Sequence, residues 1–240
     1  MSSLYHSLIY TPLYNLLVEL FHIAPWADAG VIVIVLTLIV RLILFPVSKR
    51  AITTQVAMQE IQPRLKEIQE KHKGNKEVEA RETLALYKEK GVNPFSSILL
   101  LFLQLPIIWA LYRIFLYSGI PQVNTSLLYS FVHAPAHINT VFLGLLDITH
   151  KSVILALLAA LSSFFQMRIA MASQAAPQGN GFSDNLAKSM QSQMKYIFPV
   201  IVFFISYKIS GVIALYWCTT NLFTIGQEIF VRRKLKANLA

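Results

Sequence analysis

Apolar residues crowd into five stretches, at 30–48, 95–117, 152–172, 195–210 and 211–231. Each approaches the roughly 20 residues that a helix needs to cross a bilayer core about 30 Å thick. With flanking residues included, the predicted spans are 30–49, 94–117, 151–172, 194–210 and 211–231. The last two meet at Gly211 and predict a tight helical hairpin. Two other segments have a different pattern. Residues 1–29 are apolar but interrupted by His6, Pro12 and Asn15. They predict an amphipathic helix in the outer interface, with Tyr5, Tyr10, Tyr14 and Trp26 as aromatic anchors. Residues 50–93 carry Ile52, Val56, Ile61, Leu65 and Ile68 near helical spacing, a break at Gly74–Asn75, then Val78, Leu84 and Tyr87. With pairs such as Glu67–Lys71 at i,i+4, they predict a helical hairpin standing in the cytoplasm. It is long for a mere connection, which favours a docking platform. The fold class expected is an all-α membrane protein.

Composition sharpens this. Of 240 residues, 55% are hydrophobic and 14% charged, too apolar for an ordinary soluble domain. The net charge of +9 is unevenly spread. Residues 1–40 and 118–150 hold no Lys or Arg, whereas 49–90 hold ten, 168–195 three and 232–240 four. Under the positive-inside rule this places the N-terminus and the 118–150 loop outside the cell membrane. The 50–93 hairpin, the 173–193 loop and the basic tail 232–240 fall in the cytoplasm. The lone Cys218 excludes a disulfide framework. No positively charged n-region precedes residue 30, so no cleavable secretory signal is expected.

The polar residues inside the spans are the candidate chemistry. Thr37, Arg41 and Ser48 form a stripe on the first span, and Gln104 sits beside Pro106 on the second. Ser162 and Gln166 are one turn apart on the third. Trp217, Thr220, Asn221, Thr224 and Glu228 follow one face of the fifth. A lone Ser or Thr usually bonds its own helix backbone. Arg41 is harder to dismiss. It lies at the middle of 31–50, where an arginine costs roughly 2.5–3.5 kcal/mol on insertion scales. The one acid within the spans is Glu228. A hydrated groove open to the cytoplasm would keep the guanidinium solvated and leave its charge free to attract an acidic partner.

The motifs "LTLIVRLILFPVSKRA", "MQEIQPRLKEIQEKHKGNKE", "LYKEKGVNPF", "LFLQLPIIWALY", "FFQMR", "MKYIFPVIVFF" and "LYWCTTNLFTIGQ" occur in order over residues 8–231. Together they resemble the YidC/Oxa/Alb family of membrane-protein insertases, its bacterial YidC members most of all. The resemblance implies five membrane helices enclosing a hydrophilic groove that is closed on the outer side. In such proteins the groove arginine receives the hydrophilic tail of an inserting substrate, and Arg41 matches it. Gln166 and Trp217 match groove-lining positions. Thr37, Gln104, Thr220 and Asn221 join them as candidates. The hairpin matches the family's first cytoplasmic region, which makes Gln59, Glu60, Pro63, Lys66 and Lys71 candidate docking residues. The implied partners are newly made membrane proteins and the lipid bilayer, with a Sec-type translocon, the signal recognition receptor and the ribosome beside them. Apart from ribosome contact, no nucleic acid is expected. The last hairpin reads "KISGVIALYW", without the proline the family often carries before the glycine.

An enzyme is not expected, nor a metal or cofactor. No phosphate-binding G-x-x-x-x-G-K-[ST] occurs. His133 and His137 are spaced i,i+4, but Pro135 separates them and no third ligand is near. The rival reading is a small anion transporter using Arg41. Transporters commonly show inverted repeats, and none is visible.

Overall fold

The computed structural model describes residues 3–93, 96–117, 122–172 and 182–237, with side chains over 4–93, 105–115, 122–171, 193–235 and 237. The chain is mostly helical. A single turn α1 (Ser3–Tyr5), a π-helical turn (His6–Tyr10) and α2 (Thr11–Ile23) run end to end. Then come α3 (Ala29–Ile43), α4 (Phe45–Glu60), α5 (Gln62–Lys71), α6 (Lys76–Glu89) and α7 (Ser96–Tyr117). After a 3-10 turn (Thr125–Leu127) and a two-stranded hairpin, β1 (Val141–Phe142) and β2 (Leu146–Asp147), the chain closes with three helices. These are α8 (Val153–Ala172), α9 (Phe182–Ile209) and α10 (Gly211–Ala237).

By length and composition, Val153–Met171 of α8 suffices to cross a membrane. Helices α3 and α4 pass the same test only together, bent by 62° at their junction, and Leu105–Phe115 is a shorter apolar stretch. The expected first span, 30–49, is therefore divided. Pro46 has no amide to donate to the Leu42 carbonyl and its ring crowds that turn, so the α3 helix ends at Ile43. Arg41 thus stands in the last turn of α3, beside the bend and not at the middle of one unbroken helix. Two other boundaries also differ. Helix α9 starts well before the expected 194–210, and α10 continues through the basic segment expected as a tail, to Ala237.

Helix α10 is the spine, touching α3, α4, α8 and α9. Its first turn is buried: Val212, Ala214, Leu215 and Tyr216 join one core with Ile32, Val33 and Leu36 of α3 and with Ala110, Leu111 and Ile114 of α7. Helix α2 belongs to the same core through Tyr14, Leu17, Val18 and Phe21. The Trp26 anchor, by contrast, is 82% exposed.

The loop 122–151 is held at the same end. Asn15 of α2 donates to the Leu127 carbonyl (2.9 Å) and accepts from the Tyr129 amide (2.6 Å). The Tyr14 hydroxyl accepts from the Asn124 amide at 2.7 Å. Asp28 caps α3 through the Val31 amide (3.0 Å), and its second oxygen accepts from Leu143 at the β-hairpin tip (3.0 Å). At the α9–α10 junction, the Gly211 and Val212 amides donate to the carbonyls of His150 and Ile148. A Cβ on Gly211 would lie 3.0 Å from Leu155 Cδ1 and 3.1 Å from the Ile148 backbone, so the close approach favours glycine. His133 and His137 are exposed, and no cluster of potential metal ligands occurs among the described residues.

Helices α5 and α6 form a second, separate core of Ile61, Leu65, Leu86 and Val92, backed by Ala57, Met58, Ile68 and Tyr87. Gly74, at φ +104°, supplies the left-handed turn between them. The expected Glu67–Lys71 pair is not among the ion pairs of the described residues. Instead Arg64–Glu89 (3.2 Å) ties one helix to the other, and His72 Nε2 stands 2.9 Å from a Glu82 oxygen.

Candidate functional site

Arg41 is half-buried one turn above the α3–α4 bend. Its place in the last helical turn is locally favourable, because the carbonyl end of a helix carries about half a negative charge. No acid pairs with it among the described residues. Glu228, the acid that sequence left available, is taken: Arg232, one turn on, donates to it from Nε at 3.0 Å, and its terminal nitrogen stands 2.9 Å from the same carboxylate oxygen. Tyr216 of α10, which is 3% exposed, is an ionisable neighbour of Arg41.

The bend beneath Arg41 is fixed from α10. Gln227 donates to Ser48 Oγ at 2.6 Å and to the Phe45 carbonyl at 3.4 Å. Ser48 Oγ itself bonds back to the Leu44 carbonyl at 3.1 Å. The Pro46 break thus makes the kink, and an amide from a distant helix sets its angle.

The other expected groove residues divide into two kinds. Asn221 is buried and donates to Ser162 Oγ (3.0 Å) and Ser163 Oγ (2.7 Å), clamping α10 to α8. Thr37 is buried and bonds to the Val33 carbonyl of its own helix at 2.6 Å. Thr224 likewise bonds to the Thr220 carbonyl. These groups have their partners. Thr220 is different, because its hydroxyl is buried with no hydrogen-bond partner among the described residues. Gln166 and Trp217 are half-buried, Trp217 against the main core. The Gln104 backbone lies in α7, but its side chain is outside the described ones.

On the hairpin, Pro63 opens α5 and is exposed, as are Glu60 and Lys71, while Lys66 is half-exposed. Gln59 is half-buried, with its amide nitrogen buried and without a hydrogen-bond partner among the described residues. Sequence reasoning passed over Tyr216, Gln227 and Ser163. Tyr216 was findable: it lies four residues before Thr220, on the same helical face. Gln227 and Ser163 had no comparable signal, since each matters through a residue on another helix.

The sequence profile of the family described as "60Kd inner membrane protein" matches residues 21–238. The chain belongs to that family. It is 31% identical to the membrane protein insertase YidC of Clostridium tetani, over 87% of this chain and 84% of that one. It is 28% identical to the YidC of Oceanobacillus iheyensis (87% and 76% covered) and 28% identical to that of Fusobacterium nucleatum (85% and 86%). The family is one of membrane-protein biogenesis factors.

Proposed function

We propose that the protein is a membrane protein insertase whose spans surround a hydrated groove, open to the cytoplasm and to lipid. The observation that carries this reading is Arg41, half-buried and unpaired by any acid among the described residues, in a chain of this family. A substrate's hydrophilic tail must cross hydrocarbon about 30 Å thick. A wet groove shortens that path, and Arg41, between walls of low dielectric, attracts acidic side chains on the tail. The attraction stays weak enough for release, and entry of the apolar segment into lipid drives the step. Tyr216 stands near the arginine, and Thr220, buried with its hydroxyl unsatisfied among the described residues, follows it one turn on along α10. Gln104, Gln166 and Trp217 complete the lining, and Thr37 shapes its wall. Asn221 serves by holding α8 to α10.

In this reading the N-terminus lies outside and the C-terminus in the cytoplasm. The α5–α6 hairpin docks arriving partners through Gln59, Glu60, Pro63, Lys66 and Lys71: newly made chains, the Sec translocon, the signal recognition receptor or the ribosome.

The test is insertion by the purified protein in liposomes, scored as protease protection of a substrate's N-terminal tail. Arg41→Ala is expected to slow insertion about tenfold for an acidic tail, the worth of about 1.4 kcal/mol. It is expected to have little effect on a short neutral tail. Arg41→Lys, which keeps the charge and loses the planar fork, retains most activity. Equal loss for both tails, or a lower melting temperature without loss of insertion, overturns the role given to Arg41. A second arm removes residues 61–92 with a flexible linker in their place. Because that unit has its own core, the rest of the fold should melt unchanged while insertion falls about tenfold through loss of the second contact. The cut begins after Glu60 because Ala51 and Ile52 are buried and α4 packs on α7 and α10.

A further inference from the structure

Helices α8 and α9 leave a cleft of about 460 Å³ between them, lined by Leu157, Ala160, Leu161, Phe164 and, from α9, Tyr196, Pro199, Val200, Phe203 and Phe204. Its volume falls within the roughly 300–1,000 Å³ of small-ligand pockets. The α8 lining follows one face at 157, 160, 161 and 164, and the next position on that face is Arg168. Arg168 is exposed and makes no ion pair among the described residues. Across the cleft, Phe164 meets Tyr196 with ring centroids 6.1 Å apart, and Lys195 Nζ stands 5.2 Å over the Tyr196 ring. The apolar cleft therefore has two cations at one end. From Leu157 to Arg168 the helix rises about 16 Å, close to one leaflet of a hydrocarbon core about 30 Å thick.

The geometry points to a site for an anionic phospholipid of the inner leaflet, with one acyl chain in the α8–α9 cleft and the phosphate between Arg168 and Lys195. The leaflet rests on the topology proposed above, in which the Arg168 end of α8 faces the cytoplasm. The headgroup preference does not. Basic residues at the cytoplasmic face between membrane helices commonly hold lipid phosphates. A lipid fits this cleft better than a substrate helix, because the lining is apolar along one leaflet's depth and ends at the paired cations Arg168 and Lys195.

The full-length protein, delipidated in mild detergent, is titrated with dioleoyl phosphatidylglycerol or dioleoyl phosphatidylcholine and read by native mass spectrometry. Wild type is expected to take up its first phosphatidylglycerol at least about fivefold more tightly, the share of a single cation at about 1 kcal/mol. Arg168→Gln with Lys195→Gln should bring the two lipids level, and Ala160→Phe, which fills the cleft, should weaken both. No preference in wild type, or one that survives the double substitution, overturns the site. A photo-crosslinker on a single cysteine, Ala160→Cys in a Cys218→Ser background, reads the occupant. Adducts with the lipid support the site, and adducts with the apolar segment of an inserting substrate instead overturn it. Arg168→Cys in the same background, labelled in sealed vesicles, reads the leaflet separately. Labelling from the outer side removes the topology proposed above and the inner-leaflet assignment, whatever the headgroup preference.

Discussion

Asn221 and Arg41 occupy neighbouring elements of one bundle, yet the fold treats them in opposite ways. The Asn221 amide is spent on two serines of α8 at 3.0 and 2.7 Å, and the region around it is closed. Arg41 has no acid beside it among the described residues, and the group that sequence offered as its partner, Glu228, is held by Arg232 at 2.9 Å. The difference separates polar groups that build the bundle from polar groups left over for work. In hydrocarbon an amide must be satisfied internally, and facing serines do this without charge. A guanidinium satisfied by a fixed carboxylate would be structural and silent. One left open needs water or a visiting anion, which the groove proposed above would provide.

That contrast predicts where stability resides. The largest loss is expected at the most engaged polar side chain, Asn15. Replacing it with Ala strands the Leu127 carbonyl and the Tyr129 amide and should cost about 2–3 kcal/mol, read as melting temperature in detergent. Loosening of the 122–151 loop, seen as faster protease nicking, should accompany it. An unchanged melt would mean that water replaces both bonds, and the closed class would lose its best member.

Asn221→Ala should cost about 1 kcal/mol, the scale of interhelical hydrogen bonds in membranes. In a double-mutant cycle with Ser163→Ala, most of that cost should appear as coupling. Arg41→Ala should leave the melt within about 0.5 kcal/mol of wild type, because removing a buried charge without a fixed partner also relieves desolvation. If the two substitutions behave alike in stability, the division drawn here fails.

The smallest effect is a pH dependence in the loop. Burial pushes the Asp147 carboxyl up, but bonds from the Thr149 hydroxyl and amide and from Thr140, with His150 nearby, outweigh it and hold the group below its ordinary value. A lowered folded value means that the ionised form stabilises the fold. The contribution is complete above the ordinary carboxylate value of about 3.9 and is lost as pH falls through the lowered one. The melting difference between wild type and Asp147→Asn should therefore be present at pH 7 and shrink below about pH 4. A difference independent of pH would assign the effect to geometry alone.

Much of this protein was legible in one dimension. Apolar runs, a period near 3.6 and the segregation of Lys and Arg carry helical class and membrane character, because helices are local and their faces follow spacing. Gly211 marked the α9–α10 junction, where a Cβ would crowd the Ile148 backbone at 3.1 Å. Arg41 stood out by cost alone. What the sequence could not hold is partner choice. Nothing near Asn221 in the chain names Ser162 and Ser163, and nothing near Ser48 names Gln227, more than 170 residues away. Thr37, Thr220 and Asn221 share one polar signature. Only the packed bundle decides that the first bonds its own helix, the second is buried without a partner among the described residues and the third clamps a neighbour. The same holds for the bend at Leu44: Pro46 ends the helix locally, but the 62° angle belongs to the contacts that α10 makes with α4. Hydrogen-bond satisfaction in a helical bundle depends on which helix lies opposite at which depth, and that depends on every other contact in the core.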